Sequence, residues 1–427
     1  MESFLRSKRF VRSVHYIGLL FCLSLIFPPL QLKAGPIAEG CDKFLGNIST
    51  AGPPSNFLNY WNQVTLENNG KWVNIEPARD QMKWGPVQAA YDYCQKNKIP
   101  YKHHTFLWNE QYPTWLDGLS AADKKAEVEE LIREFGQKFP ETAVIDVVNE
   151  CREKSPKWRD ALGGAGETGY DWIVWGFQTT RKYCPKAKLL INEYYCEYNL
   201  EFVTEYLKII KVLKEKNLID GIGVQTHSPE TIKGFQMGTL KKCLDSLATS
   251  GVPLYSTELD LAGNDQEQLK AYQDIFPIIW EHPAMRGVTL WGYIVGQTWM
   301  ENAGLINGGT ERPALKWLRQ YVAEHKETSS IRAHNTFSIA PFHRASPVMA
   351  CSPANGNCRV LITPSGSGGI SMQLFDMLGR RVSSIRSDNL DGQVVFTFPG
   401  SCVPRSPFVL KATDRNGSYA KQVIPLR

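Results

Sequence analysis

From about Gly40 to Lys326 the chain alternates short β-rich runs with amphipathic helical segments, and this alternation limits the fold more than any other feature. The runs are Phe44 to Ile48, Gln63 to Glu67, Tyr101 to Leu107, Ala143 to Asn149, Lys188 to Asn192, Gly221 to His227, Leu254 to Leu259 and Gly287 to Trp291. Several are continuous β-branched stretches, as expected of parallel strands buried on both faces. Eight of them predict an α/β fold, a closed (β/α)8 TIM barrel, whose typical size is ~250 residues before insertions. A doubly wound open sheet is the alternative. Against it, no Gly-rich phosphate loop follows the first run, and polar or aromatic residues end nearly every run instead of gathering at one switch point.

The helical segments carry their own start and stop signals. Over Ala121 to Phe139, Val128, Leu131, Ile132 and Phe135 recur at helical spacing, Ser120 can cap the start with Asp123 three residues on, and Pro140 ends it. Further helices are expected near Glu201 to Lys216, from Thr239 to Ser250 with Gly251 as the stop, near Gln266 to Glu281, and from Pro313 through Tyr321.

Outside the barrel the texture changes. Arg6, Lys8, Arg9 and Arg12 precede an apolar run from Val14 to Phe27, the layout of a secretory signal peptide over residues 1–34. A membrane anchor is the alternative, but the run is shorter than the ~20 residues a span needs. Cys22 follows Phe21 rather than a small residue, which argues against lipoprotein processing. The barrel is then expected over 35–326, an aperiodic Ser-, Pro- and Asn-rich linker over 327–358, and a small all-β, sandwich-like domain over 359–427. A secreted or cell-surface protein, acting as a monomer, is the resulting expectation.

Nine cysteines lie beyond the apolar run, so at least one stays unpaired; Cys351 and Cys358 are the first candidates for a disulfide. No C-x-x-C spacing supports a zinc site. Consecutive His103 and His104 face opposite sides of their strand, so they cannot form a metal pair. Neither metal nor cofactor is expected. A net charge of +5 with no basic, aromatic-interleaved stripe excludes nucleic acid as the natural partner.

Two runs end alike. Ala143 to Glu150 terminates in Asn149-Glu150, and Pro253 to Asp260 carries Glu258 at its end. Two carboxylates at the C-terminal mouth of a barrel are what glycoside hydrolysis needs, one to protonate the leaving oxygen and one to attack or to activate water.

With those residues in place, the chain resembles the family 10 glycoside hydrolases, the endo-β-1,4-xylanases, over most of Asn56 to Leu318. Gln63-Val64-Thr65-Leu66-Glu67-Asn68-Asn69-Gly70-Lys71-Trp72 is similar to the family's Thr-x-Glu-Asn-x-Met-Lys-Trp stretch, and His104-Thr105-Phe106-Leu107-Trp108, with Gln111 and Pro113, to its His-Thr-Leu-Val-Trp run. Val147-Val148-Asn149-Glu150 resembles the acid/base strand, Gly221 to His227 the Gly-Ile-Gly-x-Gln-x-His strand, Thr257-Glu258-Leu259-Asp260 the nucleophile strand, and Trp291-Gly292 with Trp299 the last-strand tryptophans.

The resemblance implies a retaining endo-hydrolysis of xylan or xylo-oligosaccharides, with Glu258 as nucleophile and Glu150 as acid/base, and a carboxyl separation of ~5–5.5 Å. It further implies that His227 and Asp260 hydrogen-bond the nucleophile and that Glu67, Asn68, Lys71, His104 and Gln111 hold sugars on the glycone side. Trp108, Trp291 and Trp299 would wall the scissile sugar, Asn192 and Gln225 bond near the nucleophile, and Tyr194 form a leaving-group platform. Asn149 would lean away from Glu150 on an ideal strand, so a bulge or strand end must bring both to the sugar.

The chain departs from the family at Ile145 (usually Trp), Gly70 (Met), Asn109 (His) and Glu193 (Asp). Alternatives are a related β-1,4-glucanase on the same barrel, or a non-catalytic surface carbohydrate-binding protein; the presence of both carboxylates, His227 and Asp260 argues against the latter. The segments Met372 to Val382 and Gly417 to Val423 resemble C-terminal sorting domains of type IX secretion, which implies contact with secretion machinery or the cell surface. An ordinary accessory β-module is the alternative there.

Overall fold

The computed structural model describes residues 35–50 and 52–325, together with seven further strands between 348 and 423. Strands β1 (Phe44–Ser49), β2 (Val64–Leu66), β3 (Tyr101–Leu107), β4 (Val144–Asn149), β5 (Lys188–Glu193), β6 (Gly221–Val224), β7 (Leu254–Leu259) and β8 (Met285–Leu290) pair in parallel and in sequence order. β8 returns to β1, with Phe44 to Asn47 opposite Gly287 to Leu290, and closes the ring. Each predicted run is a strand. The Gly221 to His227 run is shorter than expected: β6 ends at Val224, and His227 rejoins only through an isolated bridge to Asp260.

Around the ring lie α1 (Trp72–Ile75), α2 (Gly85–Asn97), α3 (Ala121–Lys138), α4 (Asp171–Tyr183), α5 (Leu200–Glu215), α6 (Met237–Ala248), α7 (Asp265–Trp280) and α8 (Pro313–Glu324). Local chemistry sets their ends. Ser120 Oγ accepts from Asp123 N at 3.1 Å, Asn264 and Glu267 form a reciprocal capping box, and Pro313 opens α8. Sequence periodicity did not reveal α2 or α4. α2 begins at Gly85-Pro86, which reads as a turn, and α4 is crowded with aromatic and β-branched residues that are poor helix formers in isolation. Burial of Trp172, Ile173 and Phe177 against the barrel outweighs that propensity.

The core is the layer between ring and helices. Ile145, Val147, Leu189, Ile191, Ile222 and Val224 are fully buried there with Leu131, Ile132, Phe135, Phe177 and Ile210 from the helices. Ile145, where the resembled family carries Trp, is thus a core position rather than a site position.

Inside the ring the filling is polar towards one end. Gln63 Nε2 donates to Thr65 Oγ1 at 2.9 Å, and Thr289 Oγ1 donates to Gln63 Oε1 at 2.7 Å. Lys102 and His104, two residues apart on β3, face Asp146 on β4, while His103 turns outward onto Phe106 and Phe135.

Cys94, Cys151, Cys184, Cys196 and Cys243 are buried free thiols. Burial pushes the Cys94 and Cys184 thiols up to about 12 and that of Cys243 to about 11. No helix among the described residues is long and apolar enough to cross a membrane.

The strands beyond the barrel form two antiparallel sheets. One joins Val348–Cys351, Cys358–Ile362 and Val394–Phe398; the other has the order Arg381–Ser387, Ile370–Asp376, Phe408–Asp414, Gly417–Val423. Cys351 and Cys358 are opposite each other in register. Residues 1–34, expected to be a signal peptide, most of 327–358, expected to be a linker, and Cys402 lie outside the described residues, as do the sulfur positions of Cys351 and Cys358.

Candidate active site

β4 delivers Glu150 by breaking its own regularity. The register shifts between Asp146 and Val148, and Glu150, one residue past the strand, takes φ 54° while its amide still donates to Asn192 O at 2.9 Å. A strand end with left-handed backbone cancels the alternation that would otherwise separate it from Asn149. Glu150 Oε1 accepts from Gln225 Nε2 at 3.0 Å and from Asn149 Nδ2 at 3.3 Å, and Oε2 accepts from the Trp108 indole at 3.0 Å.

Glu258, 4% exposed, is held from three directions. Asn192 Nδ2 donates to Oε1 at 2.7 Å, His227 Nε2 lies 3.1 Å from Oε2, and His104 Nδ1 is 4.0 Å from Oε1. The Asn192 amide also donates to Asn149 Oδ1 at 2.8 Å, and its own oxygen accepts from Thr257 Oγ1 at 2.6 Å. One side-chain amide therefore ties the strand that carries Glu258 to the strand that delivers Glu150. Its seat depends on Gly223 of β6, where a Cβ would lie 2.3 Å from Asn192 Oδ1.

Behind Glu258 runs a buried polar chain of which sequence reasoning singled out only His104, and that as a sugar-binding group. Lys102 Nζ is paired with Asp146, which receives His104 Nδ1 at 2.9 Å, all three being buried. A lysine and an aspartate inside consecutive strands, in register with a histidine, were the available signal: His104 stands opposite Asp146 across β3 and β4.

Burial alone would raise the carboxyl of Glu258. Attraction from His104, the hydrogen bond and charge of His227, and the Lys102 ammonium outweigh it and bring it down to about 2. For His227, burial acts to lower it, and the hydrogen bonds and charges of Asp260 and Glu258 carry it up to about 10.

The sign of the resulting stability follows. The ionised Glu258 contributes fully above its unfolded value of 4.5 and fades as pH falls towards about 2; the charged His227 contributes fully below 6.5 and fades as pH rises to about 10. The difference in Tm between the protein and His227→Ala is therefore expected to be largest between about pH 4.5 and 6.5 and to shrink on both sides. Thermal unfolding across pH measures it; a difference that does not vary with pH would rule out the electrostatic origin.

One expected contact is corrected. Asp260 makes no described hydrogen bond to Glu258: it holds His227 Nδ1 at 2.9 Å, accepts from Ser228 N and Oγ, and takes the Trp299 indole at 2.7 Å. Gln225 lies beside the nucleophile, its backbone carbonyl accepting from Glu258 N at 3.1 Å, while its side chain donates to Glu150 Oε1 at 3.0 Å.

On the side of β2 and β3, Lys71 Nζ donates to Asn68 Oδ1 at 3.0 Å and sits 4.9 Å over the Trp108 ring, with Glu67 close by. Burial lowers the Lys71 ammonium, against the pull of Glu258, Glu67 and Glu150, and burial raises Glu67 against the pull of Lys71. Gln111 is exposed at φ 50°, and its side chain makes no described bond to this group.

Trp291 is only 5% exposed, flanked edge-on by His104 and His227, so it forms a floor rather than an open wall. Trp299 is 55% exposed and packs edge-on against His227. Tyr194 is half-buried against Tyr195, its hydroxyl raised first by burial and then by the charge of Glu150.

Three departures have local readings. At Gly70 a Cβ would lie 2.5 Å from the His104 carbonyl, so no side chain fits this approach to β3. Asn109 Oδ1 accepts from Lys157 N at 3.0 Å and so joins two loops. Glu193, fully buried, accepts from Arg152 N and Cys151 Sγ and fixes the turn after Glu150; burial pushes it up to about 8.

The glycosyl hydrolase family 10 model matches residues 43–322. The chain is 41% identical over 281 residues to endo-1,4-beta-xylanase B of Cellvibrio japonicus, covering 65% of this chain and 45% of that protein. It is 29% identical over 290 residues to endo-1,4-beta-xylanase A of Caldicellulosiruptor saccharolyticus, covering 60% and 82%. The chain thus spans less than half the length of the Cellvibrio relative. Among solved structures, a GH10 protein from Paenibacillus barcinonensis superposes with TM-score 0.60 at 22% identity, over 68% of this chain and 98% of that one. Xylanase 10B of Thermotoga maritima does so with TM-score 0.59 at 24% identity, over 68% and 98%.

Proposed function

The chain belongs to glycosyl hydrolase family 10, and from that premise we propose that it is a retaining endo-β-1,4-xylanase with Glu258 as nucleophile and Glu150 as acid/base. The observation that carries the reading is the asymmetry of the two carboxylates. Glu258 is buried among cations that keep it ionised, whereas Glu150 accepts from the neutral donors Trp108, Gln225 and Asn149. A nucleophile must be ionised, and Glu258 is the carboxylate that the site holds in that state.

In the first step Glu258 attacks the anomeric carbon as Glu150 gives its proton to the leaving glycosidic oxygen, forming a glycosyl-enzyme ester and a free sugar chain. In the second step Glu150, now a carboxylate, takes a proton from water. That water displaces Glu258 from the anomeric carbon, and both groups return to their starting states. His227 orients Glu258, and Asp260 fixes the ring of His227 through Nδ1. The group of Glu67, Asn68, Lys71 and Trp108 is assigned the glycone side.

Proton NMR of the anomer first formed from a xylo-oligosaccharide tests the mechanism, with the β-anomer expected; the α-anomer would overturn it. Rates on xylan against a soluble cellulose derivative test the substrate. One additional hydroxymethyl group is discriminated by only ~1–3 kcal/mol, so slower glucan cleavage is expected beside xylan cleavage; faster cleavage of the cellulose derivative would make the protein a glucanase.

Gly223→Ala is a sharper probe of the site. Its Cβ would displace the Asn192 amide, so kcat on xylan is expected to fall about 10–100-fold, as misplacing a reacting group by ~1 Å costs ~100-fold. Overpacking costs ~1–3 kcal/mol, which thermal unfolding would read alongside steady-state kinetics. An unchanged kcat would remove Asn192 from the positioning scheme.

We further propose export, with residues 359–427 serving as a sorting domain. The charged-then-apolar segment from Arg6 to Phe27 and the resemblance of Met372 to Val382 and Gly417 to Val423 support this. Loss of the protein from the medium after deletion of 359–427 in a type IX-competent host is the expected result; undiminished export would favour an accessory module.

A further inference from the structure

On the flank of the barrel, away from Glu150 and Glu258, carboxylates gather between the loop after α1 and helix α3. One oxygen each from Asp80, Glu127 and Glu130 lies within 4.8 Å of the others. Glu76 is next to them: its Oε1 accepts from Asp80 N at 2.9 Å, its Oε2 from the Trp72 indole at 2.9 Å, and burial together with the charges of Glu127 and Glu130 raises its carboxyl.

A cluster of acids on a surface is common and by itself says nothing. Here a separate observation points to a missing partner. Glu127 is only 5% exposed, and although its Oε1 takes the Arg79 guanidinium, its Oε2 is buried with no hydrogen-bond partner among the described residues. A buried carboxylate oxygen without a donor is costly, and natural structures rarely leave one without a proton, a water or an ion.

Charge accounting agrees. Four carboxylates, Glu76, Asp80, Glu127 and Glu130, meet two local guanidinium groups, Arg79 on Glu127 and Arg133 on Glu130, where Arg133 Nη2 donates to Glu130 Oε1 at 2.7 Å. Glu134, 4.0 Å from Arg133, and Asp123, whose charge Arg79 also feels, add to the negative side, so negative charge is in excess. A divalent cation would offset part of that excess and give Glu127 Oε2 a cation to coordinate.

We propose that Asp80, Glu127 and Glu130 bind a calcium ion that fastens the loop between α1 and α2 to helix α3. The donor set selects the metal class. All three ligands are carboxylate oxygens, with no imidazole or thiolate in the group, which suits a hard cation and disfavours zinc or copper. Calcium takes 6–8 oxygens in flexible geometry, and the exposure of Asp80 leaves one side open for water to complete the shell. Magnesium, which demands near-ideal octahedral geometry, fits a loop-to-helix site less well.

The consequence lies in stability rather than in turnover. The loop after α1 follows Ile75 and carries no regular structure from Glu76 to Trp84, so an ion there adds a fastening beside the Arg79–Glu127 pair and the packing of Trp84 on Phe135 and Phe139.

The test uses the full-length protein, stripped with chelator and titrated with calcium chloride by calorimetry, with thermal unfolding followed in parallel. One ion per chain is expected. At calcium near 100-fold over Kd, a rise in Tm of roughly 3–8 °C is expected, and chelator should reverse it. Asp80→Asn and Glu130→Gln, both accessible positions, should each weaken binding at least about 10-fold and cut the Tm rise at the same calcium level to about half or less, while xylan hydrolysis stays unchanged. Glu127→Gln should do the same if it folds; the two accessible variants decide the matter if it does not. Absence of stoichiometric heat and of any Tm rise at 10-millimolar-scale calcium would overturn the proposal, as would calcium binding retained in the Asp80→Asn, Glu130→Gln double variant.

Discussion

Replacing Glu258 with alanine is expected to lower turnover on every substrate, polymeric xylan and activated aryl xylosides alike, by about 10⁵-fold or more, the scale seen when a covalent nucleophile is deleted. The glycosyl-enzyme ester cannot form without this carboxylate, and leaving-group quality cannot compensate. The variant also leaves the Asn192 amide and His227 without their acceptor, so its fold must be checked by unfolding before the rate is read. Added azide separates a lost nucleophile from a lost fold. In the vacated volume it can attack directly and give the α-glycosyl azide, a single displacement. Residual activity above about one part in a thousand, in a preparation free of wild-type protein, would move the nucleophile elsewhere.

Glu150→Ala is expected to divide substrates instead of abolishing all of them. Xylan, whose leaving group is a sugar hydroxyl, should lose about 10³–10⁴-fold, the worth of general acid catalysis. An aryl xyloside with a good leaving group needs little protonation, so its first step should slow less than about tenfold. Its second step loses the general base, so a burst of phenol equal to the enzyme concentration should precede a slow steady state. Azide should accelerate that steady state and give the β-glycosyl azide, because it attacks a covalent intermediate already inverted once. Equal losses on both substrates would remove the acid role from Glu150. The contacts place it for the role: the Trp108, Gln225 and Asn149 donors hold both of its carboxyl oxygens at the end of β4.

Much of this arrangement is legible in the sequence because barrel strands write themselves as short apolar runs with their chemistry at the end. Glu150 and Glu258 stand out for that reason, and β3 and β7 have the expected bounds, Tyr101–Leu107 and Leu254–Leu259. What is not legible depends on distance across the ring. That Asn192 joins Asn149 to Glu258, or that Gln225 serves Glu150, follows from which strand ends early and which bulges, and neither leaves a periodic trace. Lys102 and Asp146 look like surface charges until the ring closes around them. Helix α4 is hidden for an energetic reason, since its helicity comes from the shell it packs on rather than from its own residues.

The buried thiols give the barrel two opposite chemical temperaments. Folded, Cys94, Cys184 and Cys243 keep their protons to about pH 11–12, so they hold almost no thiolate and are poor partners for oxidants or alkylating agents. Unfolded, each returns to an ordinary thiol near pH ~8.5 and becomes a competent reagent for disulfide exchange. In an oxidising medium the order of events therefore decides the outcome: a chain that closes its ring first shelters its sulfurs, and one that lingers open cross-links them. The ring is its own antioxidant, and shelf life, refolding yield and tolerance of peroxide all become questions of how rarely it opens.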